Sequence, residues 1–308
     1  MKNGLTEQVT DFNATSNSLT CIEVNANNID YATANWTYAN GNIDEGVSFA
    51  DICYASNPSY TYVPDDNFEQ ALIDLGYDSA LDDYVLTANI SGLTSLAVGD
   101  KDIVDLTGIE AFTSLTSLDC RFNDLTSLDV SSIPGLTYLD FASNQLTSID
   151  LSNNTSLEYL YAQNNQLTSM DLGNLSSLHT IMYNYNQLPS MDLSANTGLI
   201  KIECTDNGIT SMDVSDLTAL EELTCYQNEL TSLDVSANTA LTQLECNGNQ
   251  LTSLDVSNNT ALESLRCYTN QLTSLDVSSN TALIYLDLED NQLTSLDVSN
   301  NTNLTKLA

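Results

Sequence analysis

The chain has 308 residues, 6 of them Lys or Arg and 42 Asp or Glu, for a formal net charge of −36. So few cations cannot form the basic footprint that a nucleic-acid backbone or an anionic membrane surface requires, which leaves partners that are neutral, cationic or bridged by cations. A content of 42% apolar residues with 4 Pro suffices for a continuous core, and no apolar run reaches the roughly 18 residues of a membrane span, nor does the opening Met1 to Glu7 resemble a leader.

In chain order, residues 1–54 hold a strand-like alternation at Leu19, Ile22 and Val24, followed by Gly- and Asn-rich sequence as far as Cys53. It matches the template repeated further on and reads as the trailing end of a preceding module of the same kind. Residues 55–63 read as a linker. Residues 64–92 open with Pro64, two acidic residues and an Asn, place Phe68, Ala71, Leu72 and Leu75 at helical spacing, and stop at Gly76. A helical cap is expected there, because the first coil of an array otherwise exposes its core and an open strand edge.

Residues 93–308 repeat with a period of 21. One Asn column runs Asn123, Asn144, Asn165, Asn186, Asn207, Asn228, Asn249, Asn270, Asn291 without exception. Ahead of each stands Leu-x-x-Leu-x-apolar, as in Leu115, Leu118 and Cys120 before Asn123 and Leu125, which is the leucine-rich repeat pattern. Alternation along a short strand turns Leu118 and Cys120 inward and Ser117, Asp119 and Arg121 outward. The second half of each turn repeats this with Leu125, Leu128 and Val130 inward, and no helical period fits there. The expected fold is therefore a repeat solenoid of short parallel β-strands with extended return segments and a small helical N-terminal cap. The Asn column is expected to satisfy backbone groups at the bend. A second inward column, Ile133, Asn154, Leu175, Asn196, Leu217, Asn238, Asn259, Asn280, Asn301, mixes apolar residues with Asn.

Cys120, Cys204, Cys225, Cys246 and Cys267 share an inward column with Phe141, Ala162, Tyr183 and Leu288, so they read as buried, unpaired thiols that fill volume. No metal-binding Cys or His spacing occurs. A third column, from Asp129 through Asp150 and Asp171 to Asp297, sets carboxylates about 5 Å apart. Calcium is the one cation it suggests, but one Asp per turn beside Ser is a sparse ligand set, and a solvated acidic face is the expectation. No other cofactor is implied.

These residues resemble the bacterial secreted or cell-surface leucine-rich repeat proteins of the short-repeat, internalin-like class. The resemblance covers 93–308, and the stretch Tyr62 to Tyr77 is similar to the helical cap of such arrays. It implies that Cys21 and Cys53 staple the end of the preceding array by a disulfide, in an extracellular or cell-surface location. The chain ends at Leu304-Thr305-Lys306-Leu307-Ala308 inside a strand of the next turn, which suggests a piece of a longer multi-module protein.

The outward strand face differs from turn to turn, whereas the row at Ser127, Asp129 and Ser131 hardly varies. Six of the 15 Tyr lie on the variable face, as do four of the six cations. Tyr and Arg make interface hot spots, so the candidate ligand-binding residues are Arg121, Tyr138, Tyr159, Tyr161, Met182, Lys201, Tyr226, Arg266, Tyr268 and Tyr285. Catalysis has no candidates: His179, the only histidine, is expected at an exposed variable position, and neither a nucleophile elbow nor a phosphate loop occurs. The expected function is non-enzymatic recognition of a protein, or of a polysaccharide, by a monomer. The alternative is an acidic spacer or adhesin stalk with no ligand of its own.

Overall fold

The computed structural model describes residues 12–16, 19, 21–24, 29–50 and 59–308. The repeats form an eleven-stranded parallel sheet. Its strands are β5 (Ser95–Ala97), β6 (Ser117–Asp119), β7 (Tyr138–Asp140), β8 (Tyr159–Tyr161), β9 (Thr180–Met182), β10 (Lys201–Glu203), β11 (Glu222–Thr224), β12 (Gln243–Glu245), β13 (Ser264–Arg266), β14 (Tyr285–Asp287) and β15 (Lys306–Leu307). Earlier come β1 (Cys21–Glu23), α1 (Ile29–Asn35), β2 (Ser48–Ala50), β3 (Tyr60–Tyr62), α2 (Asp66–Asp74), β4 (Tyr84–Leu86) and α3 (Thr87–Ile90).

Each strand pairs in register with its neighbours, Ser117 against Tyr138 and Tyr138 against Tyr159, so the 21-residue period becomes a set of straight rows across the sheet. The inward rows fuse into one core. Leu118, Leu139, Leu160, Ile181, Ile202, Leu223, Leu244, Leu265 and Leu286 are all fully buried. The five thiols of the Cys column are free and buried. Burial pushes the Cys204 and Cys267 thiols up to about 12.

The Asn column ties the turns to one another. Asn144 donates from Nδ2 to the Cys120 carbonyl of the preceding turn at 3.1 Å and to the Phe141 carbonyl of its own at 2.9 Å. Its Oδ1 accepts the Leu125 N–H at 3.0 Å. The same three bonds recur down the column to Asn291. They hold the residue before each Asn in the left-handed region: Phe122, Ser143, Asn164, Tyr185, Asp206, Gln227, Thr269 and Asp290 have φ between 51° and 56°, and only Gly248 in this row is a glycine. A non-glycine residue there costs on the order of 1 kcal/mol, which the surrounding bonds offset.

The second column behaves differently. Asn154 donates to the Val130 and Ile133 carbonyls at 3.0 and 2.9 Å, but its buried Oδ1 has no partner. The same oxygen is unpartnered in Asn196, Asn238, Asn259, Asn280 and Asn301, which is why Ile133, Leu175 and Leu217 can stand in this column.

At the N-terminal end of the sheet, Asp65 caps α2 by accepting the Asn67 and Phe68 N–H groups, while its other oxygen accepts those of Val104 and Asp105 in the first turn. Phe68, Ala71 and Leu72 are buried as their spacing predicts; Leu75, expected on the same face, is 44% exposed. The helix has already ended: Gly76 takes φ +80° and Tyr77 N–H closes on the Leu72 carbonyl, which turns Leu75 outward. Tyr60–Tyr62, in the segment read as a linker, pairs antiparallel with β4, because a lone β4 would leave its backbone unpaired. Gly108 lets this hairpin sit close, since a Cβ there would meet the Tyr62 carbonyl at 2.7 Å.

Among residues 12–50, β1 pairs parallel with β2, with α1 between them in the chain. Trp36 is buried and stacks on Phe12 at 4.3 Å, with Phe49 5.7 Å away. Val24 is buried, whereas Leu19, expected inward beside it, is 43% exposed. Cys21 is disulfide-bonded; Cys53 lies outside the described residues.

Two outcomes test this packing. Replacing Asn144 with Leu strands the Leu125 N–H and is expected to cost about 2 to 3 kcal/mol in chemical unfolding, whereas Asn154→Leu, in a column that already accepts Leu, changes stability by less than about 1 kcal/mol. Thiol titration with a chromogenic disulfide at pH 8 should leave the five column cysteines unreacted in the native protein and label all five once it is unfolded.

Candidate binding face

The outward rows of β6–β14 gather the candidate residues into two groups. In the first, the Tyr138 ring lies 6.5 Å from Tyr159 across the strand pair and 5.3 Å from Tyr161 on the diagonal, all tilted. Tyr159 is 39% exposed, and beyond it stands the His179 ring at 6.5 Å. His179 is half-buried rather than exposed, because this ring and the turn above cover it, and its buried Nδ1 has no partner. Met182 and Lys201 continue the patch on β9 and β10, both half-buried.

A charge network anchors the near edge of the cluster. Arg121 Nε lies 3.4 Å from an Asp119 oxygen and its Nη1 3.6 Å from Asp140, whose carboxylate also accepts the Ala142 N–H at 3.0 Å and faces the Tyr138 hydroxyl at 3.4 Å. Asp140 is buried, as are the outward-row residues Ala142, Thr205, Thr224, Asn247 and Asp287, because longer side chains on adjacent turns close over them. Burial raises the Asp140 carboxyl above the usual carboxylate range against the pull of the Ala142 N–H and Arg121. Burial, with Asp140 next, pushes the Tyr138 hydroxyl up to about 12.

The second group lies at the other end. Arg266 sits 4.8 Å and Lys306 4.4 Å from the centre of the Tyr285 ring, whose hydroxyl donates to Asp287 at 2.9 Å. Tyr268 is half-buried on the adjoining row, and Tyr226 stands between the groups, separated from both. From β8 to β13 is five strand spacings, about 24 Å, so one small ligand cannot touch both groups.

Three of the four cations of the face pair with its own carboxylates, and the fourth, Lys306, donates to the Tyr285 hydroxyl at 3.2 Å. Lys201 lies 2.8 Å from Glu222 and 3.1 Å from Glu203. Burial pulls its ammonium down, but those two carboxylates more than offset this and hold it above its usual value. Arg266 pairs with Glu245. With Arg121, Lys201, Arg266 and Lys306 so engaged, the exposed charge of the face is acidic.

Two exposed aromatics escaped the sequence reading. Phe122, 57% exposed, and Tyr185, 43% exposed, occupy the left-handed row where each strand ends, and Tyr185 lies beside Tyr226, whose hydroxyl raises that of Tyr185. Their signal was available: they are the bulky members of a row otherwise filled by small and polar residues.

The carboxylates of the Asp129 column face away from the strand rows. Each accepts the N–H two residues on, as Asp129 does from Ser131 at 2.9 Å, and the Ser194 and Ser215 hydroxyls add bonds of 2.7 Å to Asp192 and Asp213. These bonds, the hydroxyl first, hold Asp192 and Asp213 below the usual range. Asp129 and its equivalents thus cap turns.

Replacing Arg121 with Gln tests the network. Asp140 would then stay charged in a buried place without its guanidinium. A carboxyl whose folded pKa is raised costs stability above that pKa and none once protonated in both states. The variant should therefore be less stable by about 1 kcal/mol at pH 7, with the deficit closing as pH falls toward 4 in parallel denaturation series.

Comparison with known proteins agrees with this geometry. Residues 113–154 match the family model "Leucine Rich repeats (2 copies)". Over 70 residues the chain is 40% identical to internalin J of Listeria monocytogenes, a stretch that is 23% of this chain and 8% of that protein. The solved functional domain of internalin J, described as including a cysteine ladder, superposes with a TM-score of 0.69 at 32% identity, over 80% of this chain and 61% of that one. A leucine-rich repeat protein of Leptospira interrogans has the same fold, with a TM-score of 0.68 at 23% identity over 72% of this chain and 61% of that one. The chain thus spans less than two thirds of each of these relatives.

Proposed function

We propose that this bacterial, internalin-like leucine-rich repeat protein is a non-enzymatic recognition module of a secreted or surface protein, and that it grips a protein ligand through the aromatic end of its strand face. The observation that carries this is the cluster of Tyr138, Tyr159, Tyr161 and His179, four rings gathered on adjoining turns of a rigid sheet with Tyr159 open to solvent. Rings already held by packing lose little entropy on binding and offer large area with polar tips. Because three of the face's four cations are spent on its own carboxylates, the partner suited to it is neutral or basic. Among the described residues no helix is long and apolar enough to cross a membrane.

A protein is favoured over a polysaccharide because Trp36, the only Trp, is buried in its own aromatic cluster and offers no stacking platform. The spacer reading remains the competitor, since the acidic turn-capping column needs no ligand to do its work.

The decisive experiment is a binding screen of the folded chain against surface-protein fractions and immobilised polysaccharides, run beside Tyr159→Ala and Tyr161→Ala. Each substitution is expected to cost about 1 to 3 kcal/mol of binding while the unfolding midpoint of Tyr159→Ala hardly moves. Binding that both variants retain would move the ligand away from the aromatic cluster, and no binding by the parent would transfer the assignment to the spacer.

A further inference from the structure

The cap contains a polar arrangement that packing does not explain. Glu69 points from α2 into the loop that leads to β4, and its Oε1 accepts the N–H groups of Asp82 and Tyr84, each at 3.0 Å. The residue is 0% exposed, yet its second oxygen, Oε2, has no hydrogen-bond partner. A buried carboxylate oxygen without a donor is costly. Asp66, one turn earlier on α2, and Asp83, between the two residues that Glu69 binds, each bring a carboxylate oxygen to a place where all three groups lie within 4.8 Å of one another.

Nothing described on the protein neutralises them. Lys101 pairs with Asp74, and Arg121, Lys201, Arg266 and Lys306 pair on the strand face. Asp65 is fully committed to four backbone N–H groups and is no competitor. Asp78, whose buried Oδ2 is also unpartnered, adds negative charge to the surroundings of Glu69. Three all-oxygen carboxylate donors at this spacing suit a hard divalent cation. They come from two backbone segments, and an irregular site of this kind is tolerated by calcium better than by magnesium, which demands a regular octahedron.

We propose that Asp66, Glu69 and Asp83 bind a calcium ion that fastens the 77–84 loop to helix α2, with water completing the coordination. The acidic column of Asp129 to Asp297 is a different feature: its carboxylates are already taken up by turn N–H groups, and it supplies no such convergence.

The test uses the whole chain, stripped with chelator, in 0.1 M NaCl. Its melting temperature is followed as calcium chloride, magnesium chloride or matched sodium chloride is added, and calcium uptake is measured by equilibrium dialysis. Calcium should raise the melting temperature by a few degrees and saturate near one ion per chain, with a dissociation constant on the order of 10⁻⁴ to 10⁻³ M. Asp66→Asn and Asp83→Asn, at exposed positions, should weaken uptake at least tenfold, and Glu69→Gln, which keeps the acceptor for Asp82 and Tyr84, should do the same. Asp234→Asn should leave it unchanged. The proposal falls if calcium acts no differently from sodium chloride at matched ionic strength, if Asp66→Asn and Asp83→Asn bind as the parent does, or if Asp234→Asn is the variant that loses uptake.

Discussion

Everything in the array depends on one side-chain amide per turn. Short parallel strands of three residues bury little by themselves, and the bends that end them would leave carbonyl and N–H groups facing an apolar interior. The Asn amide carries donor and acceptor on one rigid plane, so a single residue satisfies a carbonyl on each of two turns and an N–H on the earlier one. A carboxylate could not donate there, and a hydroxyl could not span the gap. The leucine core then supplies the burial that makes the stack favourable, but the spacing at which the leucines meet is set by these amides.

The repeat made most of this legible. Period-two alternation within a turn and a 21-residue step between turns assign each residue of the array to a row, and the rows of Leu118, Cys120 and Asn123 are buried as assigned until the last turn, where Asn291 is half-buried and Leu307 exposed. The lateral ion pairs were legible in the same way, since Lys201 and Glu222, or Arg266 and Glu245, are 21 apart. What the pattern could not disclose depends on atoms from elsewhere. Asp140 is buried because Tyr138 and Arg121 lean over it, His179 is half-covered by the ring of Tyr159, and Tyr60 is a strand residue only because β4 returns to it. Glu69 looks like any surface acid of a helix until its loop is folded around it.

The cap and the strand face divide the work of the molecule. The cap is irregular and held by a few many-handed residues, Asp65 and Glu69 above all, each binding backbone from more than one segment. The face is regular beneath and variable above, so its chemistry changes along the array while its geometry does not. Aromatic rings gather near one end and a cation-flanked Tyr285 near the other, with mostly acidic and neutral polar side chains, and Lys201 and Tyr226, between them.

The left-handed row has an evolutionary corollary. Bends of this kind usually conscript glycine, and a row of glycines would be barren ground for selection. Here the amide ladder carries the conformational burden, so the position is open to Phe122, Ser143, Tyr185 or Gln227 alike. Mutation can therefore explore an additional line of side chains along the rim of the strand face without unsettling the scaffold, and recognition can diverge among descendants of this array faster than their folds do.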